Sequence, residues 1–258
     1  MVQSSSSILS MEKNADPIKK SLKILIEISE SSNIPFICFK SILMGGSGLD
    51  DVDVLVPDKK SYDLYRDHLR LTGYVLSRDE KGGASHWDKQ DHAQIDLHYI
   101  LSWGHFGNSG EGPSIVDQEK IMTRAQNYNY KGLSIQVPTI EDEVVIVLAH
   151  SVFQHSYLLK EDGLFIDKLI DNSEVDLDLV RNTINKFGWD KVADYLLRNN
   201  NWEVGQRVVY IPLHILAPLF FKIERGNIAN RVYFTFVRVS CYLYRYLFYT
   251  LTGRLAFN

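Results

Sequence analysis

The stretch Ser47-Gly48-Leu49-Asp50-Asp51-Val52-Asp53-Val54-Leu55-Val56 constrains this chain more than any other. It predicts a β-strand on which Val52, Val54 and Val56 share one face and Asp51 and Asp53 the other, because side chains alternate along a strand. Asp is depleted in strands, and like charges two residues apart repel. A strand of this kind calls for a cation over the pair, and a hard divalent ion is the natural candidate. An ordinary edge strand with a solvated acidic face would show the same pattern, so the pair needs support from elsewhere in the chain.

Two segments supply that support. Upstream, Ile34-Pro35-Phe36-Ile37-Cys38-Phe39 is a short apolar run that predicts a buried strand; it ends in Lys40-Ser41, and Gly45-Gly46-Ser47-Gly48 leads from there to the aspartates. Downstream, Ala93 to Ile100 predicts another strand, with Ile95, Leu97 and Tyr99 alternating against Asp96 and His98. A small or basic corner after one strand, Asp-x-Asp on the next and a single Asp on a later one is a three-carboxylate layout. It suits two-metal phosphoryl transfer, in which paired cations clamp the attacking and leaving oxygens.

Phe39-Lys40-Ser41, nine residues and then Asp51-Val52-Asp53 resemble the signature of the polymerase-beta-like nucleotidyltransferase superfold: an apolar residue, Gly, Gly or Ser, then Asp-x-Asp. More narrowly, the chain resembles the nucleotidyltransferases whose corner reads Leu-Lys-Gly and whose third strand reads Asp-Leu-His plus an aromatic, here Asp96-Leu97-His98-Tyr99. Val137 to Glu143, the helix expected to end near Ala149-His150, and Phe165 to Ile170 resemble the helical half of such proteins, so the likeness spans about residues 20 to 200. The resemblance implies that Asp51 and Asp53 ligate two Mg²⁺ ions bridging the phosphates of an NTP, with ATP expected. Asp96 would share the catalytic metal and accept the proton of an attacking hydroxyl. Ser41 would cradle a terminal phosphate, with Lys40 as a point charge on the same oxygens. Lys40 fills the superfold's usual Gly position, and Gly46 to Asp50 lacks the Arg that members often carry there. Read locally, Lys40 is also a strand-end lysine, Ser41 a helix N-cap, Asp96 a strand-edge aspartate and His98 a satisfied structural histidine.

The bulk composition fits that reading. With 258 residues and 45% apolar content, the chain can bury one good core and a smaller helical one. Cys38 and Cys241, both in apolar contexts, exclude a disulfide framework and offer no zinc spacing. No basic segment followed by an apolar stretch opens the chain, so a cytoplasmic protein is expected. Residues 1–16 are Ser-rich and expected as a disordered tail, with Met11 as an alternative start.

The fold class expected is α/β: a small mixed sheet forming a nucleotidyltransferase core flanked by helices over 17–138, a helical substrate-side region over 139–202, and basic, aromatic-rich helices over 203–258. Within the core, helices are expected over 17–33 and 58–72, strands near 74–78, 84–89 and 93–100, and a hairpin from Tyr128 to Val137. A Gly-rich loop is expected over 102–118, as a lid or a disordered segment. Thr139 reads as an N-cap with Asp142 in a variant capping box. His150 and His155 lie five apart on a predicted helix, which is poor spacing for two ligands on one face.

From Gly205 onward seven Lys or Arg face one acid, leaving a net charge of −10 for residues 1–204. Arg231, Arg238 and Arg245 recur every seven residues among many aromatics. Packing on the acidic body ranks first for this segment, peripheral membrane contact through 228–252 second, and nucleic acid third. A spanning helix would carry Arg238 and Arg245 at about 2.5–3.5 kcal/mol each near a bilayer centre.

The activity expected is Mg²⁺-dependent transfer of a nucleoside monophosphate from an NTP to a hydroxyl acceptor, with release of pyrophosphate. The acidic body argues against a nucleic-acid partner. Two alternatives stand beside it: a non-catalytic binding or scaffold protein on the same fold, and a sugar-nucleotide glycosyltransferase using Asp-x-Asp.

Overall fold

Asp16 caps the first helix: its Oδ1 accepts hydrogen bonds from the backbone N–H groups of Ile18 (3.1 Å) and Lys19 (3.3 Å). The computed structural model describes residues 16–40, 42–43, 51–80, 83–101, 116–172, 175–199, 208–223 and 228–252. The tail expected over 1–16 therefore lies outside the described residues except for Asp16. Helix α1 (Pro17–Ser32) has Pro at its first position and closes on Asn33, whose left-handed backbone (φ 55°) ends it. Its apolar positions Ile18, Leu22, Leu25 and Ile28 fall on one face and are buried.

Five strands make one sheet: β1 (Ile37–Phe39), β2 (Asp51–Leu55), β3 (Val75–Glu80), β4 (Ala84–Asp88) and β5 (Gln94–His98), in the order β1-β2-β5-β4-β3. Strands β2 and β5 run parallel, while the other neighbours are antiparallel, so the sheet is mixed as the sequence predicts. Between β2 and β3 lies α2 (Lys59–Leu71), capped by Asp58, whose Oδ1 accepts from Ser61 N–H at 2.7 Å. Helix α2 supplies Tyr62, Tyr65 and Leu69 to the core that α1 also closes. Cys38, Val52, Val54, Ile95, Leu97 and Trp87 fill that core from the sheet, leaving the alternate residues to the opposite face. Ser21, Tyr74 and the Ala93 carbonyl form a satisfied polar hub inside it: Tyr74 Oη donates to Ser21 Oγ, which donates to Ala93 O, each at 2.9 Å.

Helix α3 (Gln118–Arg124) begins where the long loop was expected to end; residues 102–115 of that loop lie outside the described residues. Strands β6 (Gln126–Tyr130) and β7 (Leu133–Val137) then form the predicted hairpin. Lys131 and Gly132 turn it with positive φ at both positions, the conformation a two-residue hairpin favours. Two compact units result. The first holds the chain through Glu80, Ala84–Tyr99 and Ala125–Val137; the second holds Ile100–Arg124 and the chain from Pro138 onward.

In the second unit, Thr139 caps α4 (Ile140–His150) by accepting from Asp142 N–H at 3.3 Å, and Asp142 also pairs with Arg124. Helix α4 runs directly into a π-helical turn over Ser151–His155. This corrects the expectation for the two histidines. A π turn closes i→i+5, so residues five apart stack over one another. The imidazoles of His150 and His155 accordingly meet edge to face at 4.6 Å.

After β8 (Tyr157–Leu159) come α5 (Lys160–Asn172), α6 (Leu177–Phe187), α7 (Asp190–Arg198), β9 (Val208–Tyr210), α8 (Leu213–Ile223) and α9 (Ile228–Thr252). The sequence predicts helices alone here; β8 and β9, three residues each, nevertheless pair as an antiparallel ribbon. Helix α9 turns its arginine stripe inward: Arg238 is 4% and Arg245 8% exposed. Arg238 lies over the Phe220 ring at 5.3 Å, and Arg245 Nη1 donates to the carbonyls of Gln154 (2.7 Å) and His155 (3.2 Å). Packing thus accounts for those two arginines, on α8 and the π turn. Among the described residues no helix is long and apolar enough to cross a membrane.

The charged cap on the π turn has a measurable weight. Arg245→Met should lower the unfolding free energy by about 2 kcal/mol, because the charge-assisted bonds of a buried guanidinium to the part-buried carbonyls of Gln154 and His155 are lost. Denaturant titration beside the exposed control Lys222→Met, expected within about 0.5 kcal/mol of the native chain, measures it.

Candidate active site

Strand register decides which side chains meet on the sheet face away from α1 and α2. Asp53 pairs with Phe39 of β1 on one side and with Asp96 of β5 on the other; Asp96 pairs in turn with His86 of β4, and His86 with Arg78 of β3. Side chains directly opposite across neighbouring strands stand roughly 5 Å apart at Cβ. The register therefore lays one row across the sheet: Phe39, Asp53, Asp96, His86 and Arg78. Asp51, two residues before Asp53 and on the same face, pairs with Gln94.

Taken with Lys40 beside Asp53 and with Glu80 between His86 and Arg78, the charges across this face alternate, with one exception. Lys40 has a left-handed backbone (φ 55°) just after β1, and its Nζ stands 4.0 Å from Asp53 Oδ2. His86 bridges two carboxylates: Nδ1 lies 2.6 Å from Asp96 Oδ1 and Nε2 3.2 Å from Glu80 Oε1. Arg78 Nη2 closes on Glu80 Oε1 at 3.1 Å. The exception is the pair Asp53 and Asp96, neighbours with the same charge.

Burial and charge shift the protonation of these groups in different directions. Asp53 is 8% exposed; burial pushes its carboxyl up to about 7, Asp51 and Asp96 push the same way, and the Lys40 ammonium opposes them. Hydrogen bonds to Asp96 and Glu80 hold the His86 imidazole up to about 10, so it is an imidazolium at neutral pH. His98 is driven down to about 4 by burial. Its ring meets Phe39 edge-on at 5.5 Å, and among the described residues its Nε2 has no hydrogen-bond partner. His98 is therefore a packed histidine of this face. On the helix side, burial raises the Cys38 thiol well above its ordinary range, so it stays protonated.

The structure thus brings together Asp51, Asp53, Asp96 and Lys40 of the residues proposed from sequence. Ser41 and the Gly45–Asp50 stretch lie outside the described residues. Sequence reasoning missed His86 and Glu80. A signal for His86 existed: counting outward from Asp91, which turns the β4–β5 hairpin with φ 60°, puts His86 and Asp96 equally far along their strands.

Donor chemistry on this face suits a hard divalent ion, since Asp51 and Asp53 offer only carboxylate oxygens and stand on one face of one strand. Asp96 has one oxygen engaged with His86, and among the described residues no group of three or more His, Cys, Asp or Glu side chains is set to hold a metal ion. The pair Asp51 and Asp53 is the part of the donor set that fits.

No family model matches the chain, and no curated protein matches it. Among solved structures, the lincomycin-bound lincosamide antibiotic adenylyltransferase LnuA is similar over 62% of this chain and 100% of that one, at 18% identity and a TM-score of 0.44. The solution structure of the antibiotic-resistance factor ANT(2'')-Ia is similar over 70% of this chain and 96% of that one, at 10% identity and a TM-score of 0.45. An antigenic nucleotidyltransferase-like protein from Paracoccidioides brasiliensis is similar over 69% of this chain and 92% of that one, at 15% identity and a TM-score of 0.40. TM-scores below 0.5 leave the reading of the site to its own geometry.

The crowding at Asp53 predicts a pH effect on the metal-free protein. Its folded-state pKa, about 7, lies above the ordinary carboxylate value of 3.8, so the folded state binds the proton more tightly. Stability is then full below about pH 4 and falls as pH rises towards 7. Asp53→Asn should remove that fall, leaving the variant more stable than the native chain at pH 8 by on the order of 2–4 kcal/mol and little different at pH 4. Denaturant titrations at both pH values, with a chelator present, read the difference.

Proposed function

We propose that this chain is a nucleotidyltransferase that moves a nucleoside monophosphate from an NTP, with ATP as the expected donor, to a hydroxyl of an acceptor molecule. The observation that carries the reading is the like-charged junction of Asp53 and Asp96, on adjacent parallel strands with Asp51 on the same face. Each of the two has a cation on its outer side, Lys40 at Asp53 and His86 at Asp96. Adjacent carboxylates on one sheet face, with Lys40 at their edge, suit a phosphate chain that arrives with its own cation.

In this reading Asp51 and Asp53 hold Mg²⁺, which when bound offsets the negative charge of the phosphate oxygens. Lys40, with Ser41 beside it in sequence, holds the terminal phosphates against the charge of the carboxylates. The acceptor oxygen forms a bond to the α-phosphorus as the bond from that phosphorus to the β-phosphate oxygen breaks, and pyrophosphate leaves. Asp96 takes the proton of the acceptor hydroxyl. His86 is a positioning residue: bonded to Asp96 on one side and Glu80 on the other, it fixes the direction of the Asp96 carboxylate. Such a reaction draws on the NTP pool of the cytoplasm. The acceptor class favoured is a small molecule or protein hydroxyl, since residues 1–204 carry a net −10.

One observation favours the second reading, a non-catalytic binding protein on the same fold: His86 engages Asp96, the residue assigned to the proton. A sugar-nucleotide glycosyltransferase fits less well, because a single short strand precedes the Asp-x-Asp strand where a longer βα unit is usual.

Calorimetric titration with a non-hydrolysable NTP analogue tests the proposal. The native chain should bind in Mg²⁺, and neither chelated protein nor Asp51→Asn/Asp53→Asn should bind. Binding that ignores both the metal and the carboxylates would favour the second reading. His86→Gln should bind the analogue as the native chain does but release pyrophosphate from NTP about 10–100-fold more slowly, as lost orientation of a reacting carboxylate predicts.

A further inference from the structure

Helix α9 is inverted relative to an ordinary surface helix. Its arginines at 238 and 245 are buried, while every described exposed position along it is uncharged. Val232, Phe236, Leu243 and Leu247 are 54%, 69%, 41% and 54% exposed. Val232 and Leu243 are eleven apart, as are Phe236 and Leu247, the spacing that keeps a seam close to a straight line along a helix. Tyr233, Tyr244 and Tyr246 widen this face, and Ile228 and Leu251 extend it to both ends of the 25-residue helix.

The exposed part of these side chains comes to on the order of 800 Å². Ordinary monomers expose apolar patches of about 300–600 Å². A standard stable interface takes about 800 Å² from each partner, so the face is the right size to serve as one side of it. We infer that α9 is a homodimerisation helix, and that the occupant of this face is α9 of a second copy, packed antiparallel about a two-fold axis.

Charge supports a second copy over a lipid surface. Helices that lie on bilayers present Lys and Arg to the headgroups. Here Arg238 is covered over Phe220, and Arg245 is committed to the carbonyls of Gln154 and His155. A face without charge meets its own copy without repulsion, as a two-fold interface requires. Antiparallel pairing centred between Ser240 and Leu243 sets the small Ser240 against Leu243 and brings Phe236 onto Leu247 of the other copy. Tyr and Phe are also the side chains enriched in the cores of protein interfaces.

Sedimentation velocity on the full chain from about 1 to 50 μM, with flotation on anionic vesicles as a parallel arm, tests the inference. The native chain should sediment at twice its 29.6 kDa chain mass in the upper part of that range. Phe236→Glu/Leu247→Glu and the neutral Phe236→Ser/Leu247→Ser should both be monomers with native far-UV circular dichroism, since both positions are exposed in the single chain. A native monomer throughout the range overturns the inference, and if that monomer floats with vesicles the face belongs to a bilayer. A dimer that survives both double substitutions also overturns it, because the interface then lies elsewhere.

Discussion

The parallel pairing of β2 with β5 is the constraint on which the rest of the first unit depends. It sets Asp53 beside Asp96 on a face that is largely closed to water. Two unit charges roughly 5 Å apart at an effective dielectric of about 20 repel by roughly 3 kcal/mol. No helix propensity or turn preference in the segment offsets that. The register is held from behind, where Val52, Val54, Ile95 and Leu97 interlock with the buried faces of α1 and α2. A slip of one residue would turn these four side chains out of the core and the aspartates into it. The apolar core therefore keeps the carboxylates where they repel.

Around that junction the fold places partial compensation. Lys40 stands at one end and His86 with Glu80 and Arg78 at the other, so positive and negative side chains alternate outward from the two aspartates. This arrangement keeps Asp53 poised near neutral pH instead of fully ionised or fully neutral. It also makes the row responsive to an incoming cation, which would favour the ionised form of Asp53 and compete with His86 for Asp96. Perturbed groups gathered on one sheet face are what an active site requires.

Much of this was legible in the sequence because it is local. Alternation alone assigns Val52 and Val54 to one face and Asp51 and Asp53 to the other, and the 3.6-residue spacing of Leu22, Leu25 and Ile28 identifies the helix that covers the apolar side. The cap at Thr139 marks a helix start through its own side chain. What escaped is set by pairing or by a change of helical period. The place of His86 depends on hairpin register, and Glu80 counts only once His86 is placed. The meeting of His150 and His155 depends on a π turn that no 3.6-residue pattern announces. The three-residue strands β8 and β9 carry too few residues for alternation to be read, and they pair across nearly fifty residues of chain. The arginine stripe of α9 was legible as a stripe, but the direction it faces depends on Phe220 and on the carbonyls of the π turn.

The central claim is that Asp51 and Asp53 form a cation site serving bound phosphate. Locating Mn²⁺ by anomalous diffraction in crystals grown with a non-hydrolysable NTP analogue tests it most directly. The account predicts a peak at about 2.0–2.3 Å from a carboxylate oxygen of both Asp51 and Asp53, with the phosphate chain on the Lys40 side. An ordered analogue with no peak at these carboxylates, or a peak elsewhere with Lys40 still against Asp53, would contradict it.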